Sequence, residues 1–239
     1  MPIRCGNTSI TRRASASSSK PITKSIALDL PNGGNILITG TGTWNQTGGA
    51  TIGDGTGDIG SMTVLGSLNK GGSGSFTVAS DFRCAGTMTV TEGEVSVRGA
   101  FRLDETGTFI GGGTDALGMN VRLQVPMASP AVLAGTVRVD AAGSAGRLDI
   151  LGAVTLASTF VAEVDVPGTG AIPTENLGFL TGGQVLGGTL DVTVGSPPTT
   201  GDMFRVVTTV SATGSFDTII GAGAFTGIVE DGNGVLLTR

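Results

Sequence analysis

The chain has 239 residues, 42 of them glycine and nine proline, with only 14% charged side chains. Glycine at that level without a Gly-X-Y period excludes collagen, and a mean hydropathy of +0.28 argues against a wholly disordered chain. Helix formers are scarce beside glycine and β-branched residues, which argues against a helical bundle and leaves a chain that reads as nearly all β. Zero His and zero Tyr remove the commonest general base, the Ser-His-Asp and Cys-His mechanisms and histidine metal ligation. A single Trp, Trp44, leaves little for base stacking or aromatic sugar platforms.

Taken from the N-terminus, residues 1–30 carry Arg4, Arg12, Arg13, Lys20 and Lys24 against Asp29, a net +4. Residues 31–239 hold nine basic and 18 acidic side chains, a net −9. The serine-rich run at 15–19 predicts a flexible basic leader, and the acidic body repels phosphate backbones, so no nucleic-acid partner is expected. The sequence contains no run of 18 apolar residues, so no transmembrane helix is expected, and the N-terminus has no apolar secretory core.

From residue 31 onward the chain predicts one continuous domain of short strands, each opened by glycine. Six copies stand out: 60–64 (GSMTV), 74–78 (GSFTV), 86–90 (GTMTV), 135–139 (GTVRV), 146–150 (GRLDI) and 188–192 (GTLDV). Their alternation sends one apolar set inward and Thr, Arg or Asp outward. Further strands of this kind are predicted at 94–97, 100–103, 121–125, 154–156, 160–166, 204–208 and 235–238. The joints at 91–93 and 98–99 are not the Asn-Gly or Asp-Gly pairs of tight hairpins, so corners fit better.

A chain that turns a corner after each short strand closes a coil and stacks on the coil before it, which makes a single-stranded parallel β-helix. An all-β sandwich is the alternative. Coils of roughly 20 to 25 residues predict eight to ten layers and a rod of about 40 to 50 Å. The motif starts lie 14, 12, 49, 11 and 42 residues apart, so no strict period holds. The longer intervals contain Pro126, Pro130 and the 167–173 segment, which predict protruding loops, and a C-terminal cap is expected from about residue 196.

The segments 40–49 (GTGTWNQTGG), 52–55 (IGDG) and 60–66 (GSMTVLG), with 201–207 (GDMFRVV) and 214–217 (GSFD) near the end, resemble the glycine- and threonine-rich repeats of bacterial autotransporter-like passenger domains and related surface proteins. The likeness spans about residues 36–239. It implies an exported structural or adhesive protein, extracellular or on the cell surface, acting as a rigid stalk or fibre subunit. Self-association through the rod ends or residues 1–30, or a surface glycan or protein partner, would follow. A polysaccharide-active β-helix enzyme and a virion fibre or self-assembling filament are the alternatives.

Candidate chemistry is sparse. Asp54 and Asp58, in the glycine-rich run 53–58, are the best calcium ligands on offer, but a single copy outside the nonapeptide pattern reads as an ordinary turn, so no cofactor is expected. Glu92 with Glu94, and Asp104 with Glu105, are the acid pairs a glycoside hydrolase would need, yet their positions favour a solvated surface and no catalytic residue is assigned. Cys84 alternates with Phe82, which favours a buried thiol over a nucleophile or a disulfide to Cys5. Trp44 is expected to plug the first coil. Thr-x-Thr ranks recur only at 41–43 and 87–89, too few for a water-ordering face.

Overall fold

The computed structural model describes residues 27–28, 35–52, 60–111, 121–128, 130–139, 148–164, 174–181, 184–194, 197–231 and 233–239. The basic leader, apart from Ala27 and Leu28, lies outside them, as do Cys5, Asp54, Asp58 and the 167–173 segment.

Strands recur in sets of three, and each member of a set joins a different sheet. The second coil is Ala50–Ile52, Ser61–Val64 and Ser67–Gly71; the third is Ser75–Val78, Asp81–Cys84 and Thr87–Val90; the fourth is Glu94–Val97, Phe101–Leu103 and Thr108–Gly111. Every third strand pairs in parallel with its equivalent one coil away, so Ser61 lies beside Asp81, Ser75 beside Glu94, and Thr87 beside Thr108. Among the described residues eight coils build three sheets whose coil strands all pair in parallel, the last coil ending at Thr218–Ile220. This is the parallel β-helix expected from the corners, and the sandwich is set aside because neighbouring strands within the coils run parallel.

All thirteen predicted strands overlap observed ones. The uneven spacing of the six copies has a geometric cause. Those at 60–64, 74–78 and 86–90 stand on the second, first and third sheets in turn, and the copies at 135–139 and 188–192 share the third sheet with 86–90. The motif describes a strand that faces a core, whichever wall it joins, so its copies count strands rather than coils.

Inward positions stack into continuous apolar columns. On the third sheet one column runs Trp44, Leu68, Met88, Phe109, Val137, Phe160, Leu190 and Ile219. On the second sheet Met62, Phe82 and Phe101 lie in register, with the two phenyl rings 5.3 Å apart and tilted by 41°. Each fully buried Phe, Leu or Met in these columns contributes roughly 1.5–3 kcal/mol, which holds the coils together without any disulfide among the described residues.

Coil length varies because the three corners differ. The second-to-third corner takes only two residues in the second, third, fifth, sixth and seventh coils, and never more than four. Its last residue is Gly42, Gly66, Gly86, Gly107, Gly135, Ser158 and Gly188 in successive coils. Each of their carbonyls accepts the N–H that opens the next coil's third strand, at 2.8–3.2 Å through seven consecutive steps. A Cβ on Gly86 would land against the Gly66 carbonyl oxygen, and one on Gly135 against that of Gly107. The other two corners absorb the length changes. Residues 125–130 form one of them, carrying the expected Pro126 and Pro130, while residues 112–120, 140–147 and 165–173 separate third-sheet strands from the coils that follow.

At the C-terminal end, Gly234–Thr238 pairs antiparallel with Met203–Thr209, and Gly227–Asp231 pairs antiparallel with Gly234–Thr238, so this hairpin extends the first sheet alone. A single 3-10 turn at Ala222–Ala224 leads into Phe225, whose ring meets Phe204 edge-on at 5.6 Å. With Phe216 and Ala222 also buried, these side chains close the end of the core.

Candidate functional site

Among the described residues, Lys70 and the paired Gln184 and Thr209 enter the interior where the columns are otherwise apolar. Lys70 occupies an inward place on the third sheet, beside Val90, and is 1% exposed. Its Nζ donates to the carbonyls of Gly71 at 3.2 Å, Gly72 at 2.5 Å and Glu92 at 3.1 Å. Those carbonyls turn inward because Gly72 and Gly93 take φ of +71° and +79°, values that only glycine adopts freely. Burial pushes the Lys70 ammonium below its ordinary pKa, and the Glu92 charge partly opposes that shift. All three of its N–H donors are satisfied, so Lys70 is a structural cation rather than a nucleophile. Gln184 is buried on the second sheet, where its Oε1 accepts the Thr209 hydroxyl at 2.6 Å.

The outer faces hold the remaining chemistry. On the second sheet Arg83 and Arg102 are register neighbours, and both give Nε to the buried Asp104, at 2.5 Å and 2.8 Å. Their side chains are 60% and 62% exposed, and their Nη groups have no protein partner among the described residues. Asp104 therefore stands apart from Glu105, which is exposed in the next turn. The solvated-surface expectation holds for Glu105 and fails for Asp104, which is buried because two arginines clamp its carboxylate.

Glu94 accepts the Ser75 hydroxyl at 2.9 Å from the neighbouring coil, while Glu92 serves Lys70 through its backbone carbonyl. Neither acid pair is brought together as a two-carboxylate site. Asp81 accepts the Ala100 N–H at 2.8 Å. A shallow, open hollow lies at the first-to-second corner, lined by Ser96, Val97, Arg98, Gln124, Val125 and Pro126.

Cys84 is a buried thiol facing the core, as its alternation with Phe82 implied. Burial pushes its pKa up to about 12; the Gly86 carbonyl as partner pulls back, and the Asp104 charge adds to the rise. Trp44 is half-buried against the core, 6.5 Å from Phe76. Asn45 is exposed and accepts the Asn69 side-chain amide at 2.8 Å. No group of three or more metal-ligating side chains occurs among the described residues; Asp54 and Asp58 are outside them. No helix among the described residues is long and apolar enough to cross a membrane.

Besides the inward Lys70, two features escaped the sequence reading. The Arg83–Asp104–Arg102 cluster joins residues 19 and 21 apart, and only the coil length brings them together. The threonine rank was also missed. Thr43, Ser67, Thr87, Thr108, Thr136, Thr159, Thr189 and Thr218 stand in one outward row on the third sheet, a ladder that runs across coils and not along the chain. The signal that would have found it is the recurring Gly-Thr or Gly-Ser pair that opens so many third-sheet strands.

Compared with known proteins, the chain matches no family model, no curated protein and no solved structure.

Proposed function

We propose that this chain is a noncatalytic β-solenoid acting as a rigid stalk or adhesive rod of a bacterial surface or extracellular protein. The observation that carries the reading is the second-to-third corner, where backbone meets backbone through seven consecutive steps and, in six of the seven coils, glycine leaves no compressible side chain between layers. A wall of that kind resists bending, because any hinge must break backbone hydrogen bonds that water cannot reach on the inner side. The surface acids fit the same reading, since Glu94 and Asp104 are engaged in holding neighbouring coils. The hairpin and the buried Phe204, Phe216 and Phe225 that close the core at the C-terminal end favour a rod over end-to-end stacking into a filament.

Rigidity is measurable. Asn45 and Asp191 occupy the same outward row six coils apart, about 29 Å at roughly 4.8 Å per layer. Spin labels at Asn45→Cys and Asp191→Cys, in a Cys5→Ser background, are expected to give one narrow distance distribution near that value. A broad or bimodal distribution would reject the stalk.

A further inference from the structure

We propose that the second sheet carries a binding site for a linear acidic polysaccharide, in which Arg83 and Arg102 each grip one sugar carboxylate and Arg98 heads the adjoining groove. The proposal deepens the adhesive side of the reading above and rests on it.

Asp104 orders the two arginines in advance of any ligand. An exposed arginine ordinarily samples many rotamers, and ordering it costs entropy when a ligand arrives. Here both Nε atoms are tied to one buried carboxylate, so the guanidinium planes are fixed before any ligand is present. With Nε occupied, the edge left to solvent is the Nη pair, which is the part of the group that holds a carboxylate with two parallel hydrogen bonds. One carboxylate cannot neutralise two guanidinium groups, so the pair retains a positive charge.

The neighbourhood then narrows the ligand. The charged groups around the pair are Asp81, held by the Ala100 N–H, the exposed Glu105, and Arg98 at the corner leading into the Arg102 strand. Local charge is therefore close to balanced and the body carries −9, a poor surface for the dense charge of a polyphosphate backbone. Above and below the pair the row continues with Val132 and Thr63, without the large aromatic anchors of a protein interface.

A polymer with one acid per sugar meets the arrangement. Two carboxylate grips lie one coil apart, about 4.8 Å. The groove exists because the fifth coil takes residues 125–130 through a corner that the fourth coil crosses with 98–100. Its polar lining of Ser96, Gln124 and Arg98 offers partners to the hydroxyls of a sugar lying along this open surface.

The test is calorimetric titration of the full chain at low salt with polygalacturonate, its fully methyl-esterified form, and inorganic polyphosphate. Binding to polygalacturonate alone is expected, weakened roughly tenfold or more by Arg83→Gln with Arg102→Gln. It should also weaken several-fold with both arginines changed to Lys, which keeps the charge but loses the paired donors. Because the first variant strands Asp104 in a buried position, the triple variant adding Asp104→Asn supplies a folded comparison, checked by its melting profile. Arg205→Gln, at the C-terminal end, should leave binding intact. No binding to polygalacturonate, equal binding by the folded glutamine variants, equal binding of the esterified polymer, or preference for polyphosphate would each overturn the site. A narrow spin-label distance without polyuronate binding would remove this site and leave the stalk; binding by a chain with broad distances would do the reverse.

Discussion

The second-to-third corner and the first-to-second corner do the same topological job by opposite means. The former keeps to two residues in five of the eight coils, ends on glycine in six of the seven coils from the first to the seventh, and passes one backbone hydrogen bond to each next layer. The latter spans 79–80 in the third coil and 125–130 in the fifth, and where it widens it opens the groove beside Arg98. One corner is a spine and the other is a place for variation. A coil needs only one wall in strict register; once Thr136 is bound to Gly107, the rest of its coil can lengthen without displacing the layers above.

The sharpest way to break this contrast is to add one carbon on each side of it. Gly135→Ala would drive a Cβ into the carbonyls of Gly107 and Asp104, both backbone atoms held by their own coils. The layers must part, and a loss of about 3–5 kcal/mol is expected, of the order seen for severe core disruption. Gly40, in the turn that precedes the spine, has nothing within 4 Å of its missing Cβ. Gly40→Ala should change stability by less than about 0.5 kcal/mol. Chemical denaturation of the two variants measures the difference directly; similar losses would mean the spine is not where the coils are locked.

Lys70 extends the comparison to the third corner, which is short only at the N-terminal end of the rod. There Gly72 and Gly93 expose their neighbours' carbonyls to the interior, and the ammonium is what satisfies them. Lys70→Met keeps the length and removes the donors, taking the ammonium from the Gly72 and Glu92 carbonyls while Gly71 keeps the Gly48 N–H, for an expected loss of about 2–3 kcal/mol. The pH dependence follows from the direction of the shift. Lys70 ionises less readily folded than unfolded, so between its lowered pKa and 10.5 the unfolded chain binds more protons and stability rises with pH. Wild type should therefore gain on Lys70→Met as pH climbs toward 10.5, read from paired denaturation curves. A gap that stays constant or shrinks would mean that burial does not lower the Lys70 pKa in the folded chain.

Strand positions were legible in the sequence because alternation survives locally: the residues at 62 and 64, or 76 and 78, have one side to hide wherever their strand sits. Coil closure was legible from the joints at 91–93 and 98–99, too short for a crossover and wrong for a hairpin. What could not be read was which wall a strand joins, since the same five-residue pattern serves all three. The number of residues per coil therefore stayed loose, and observed partners lie from 19 residues apart, as Ser75 and Glu94, to 30, as Thr174 and Phe204. Without that number Arg83 and Arg102 cannot be placed side by side, nor the threonines in a row. Lys70 was invisible for another reason: an inward lysine breaks the polarity rule, and only the positive φ of nearby glycines explains its partners.

The smallest expected effect concerns the one break in the glycine spine before the last coil. Ser158 stands where Gly135 and Gly188 stand in the neighbouring coils, it is buried, and its hydroxyl has no hydrogen-bond partner. A buried hydroxyl left unpaired costs about 1–3 kcal/mol, while a glycine in its place returns about 0.5–1 kcal/mol of backbone freedom to the unfolded chain. Ser158→Ala removes the first cost without incurring the second and is expected to stabilise by about 1 kcal/mol. Ser158→Gly should fall nearer to neutral, because the two terms oppose each other. If glycine instead proves the better replacement, the spine rejects a Cβ at the sixth coil as it does at the fifth, and the serine is tolerated there under strain. The order of the two midpoints thus decides whether the corner is uniform along the rod or relaxes toward its C-terminal end.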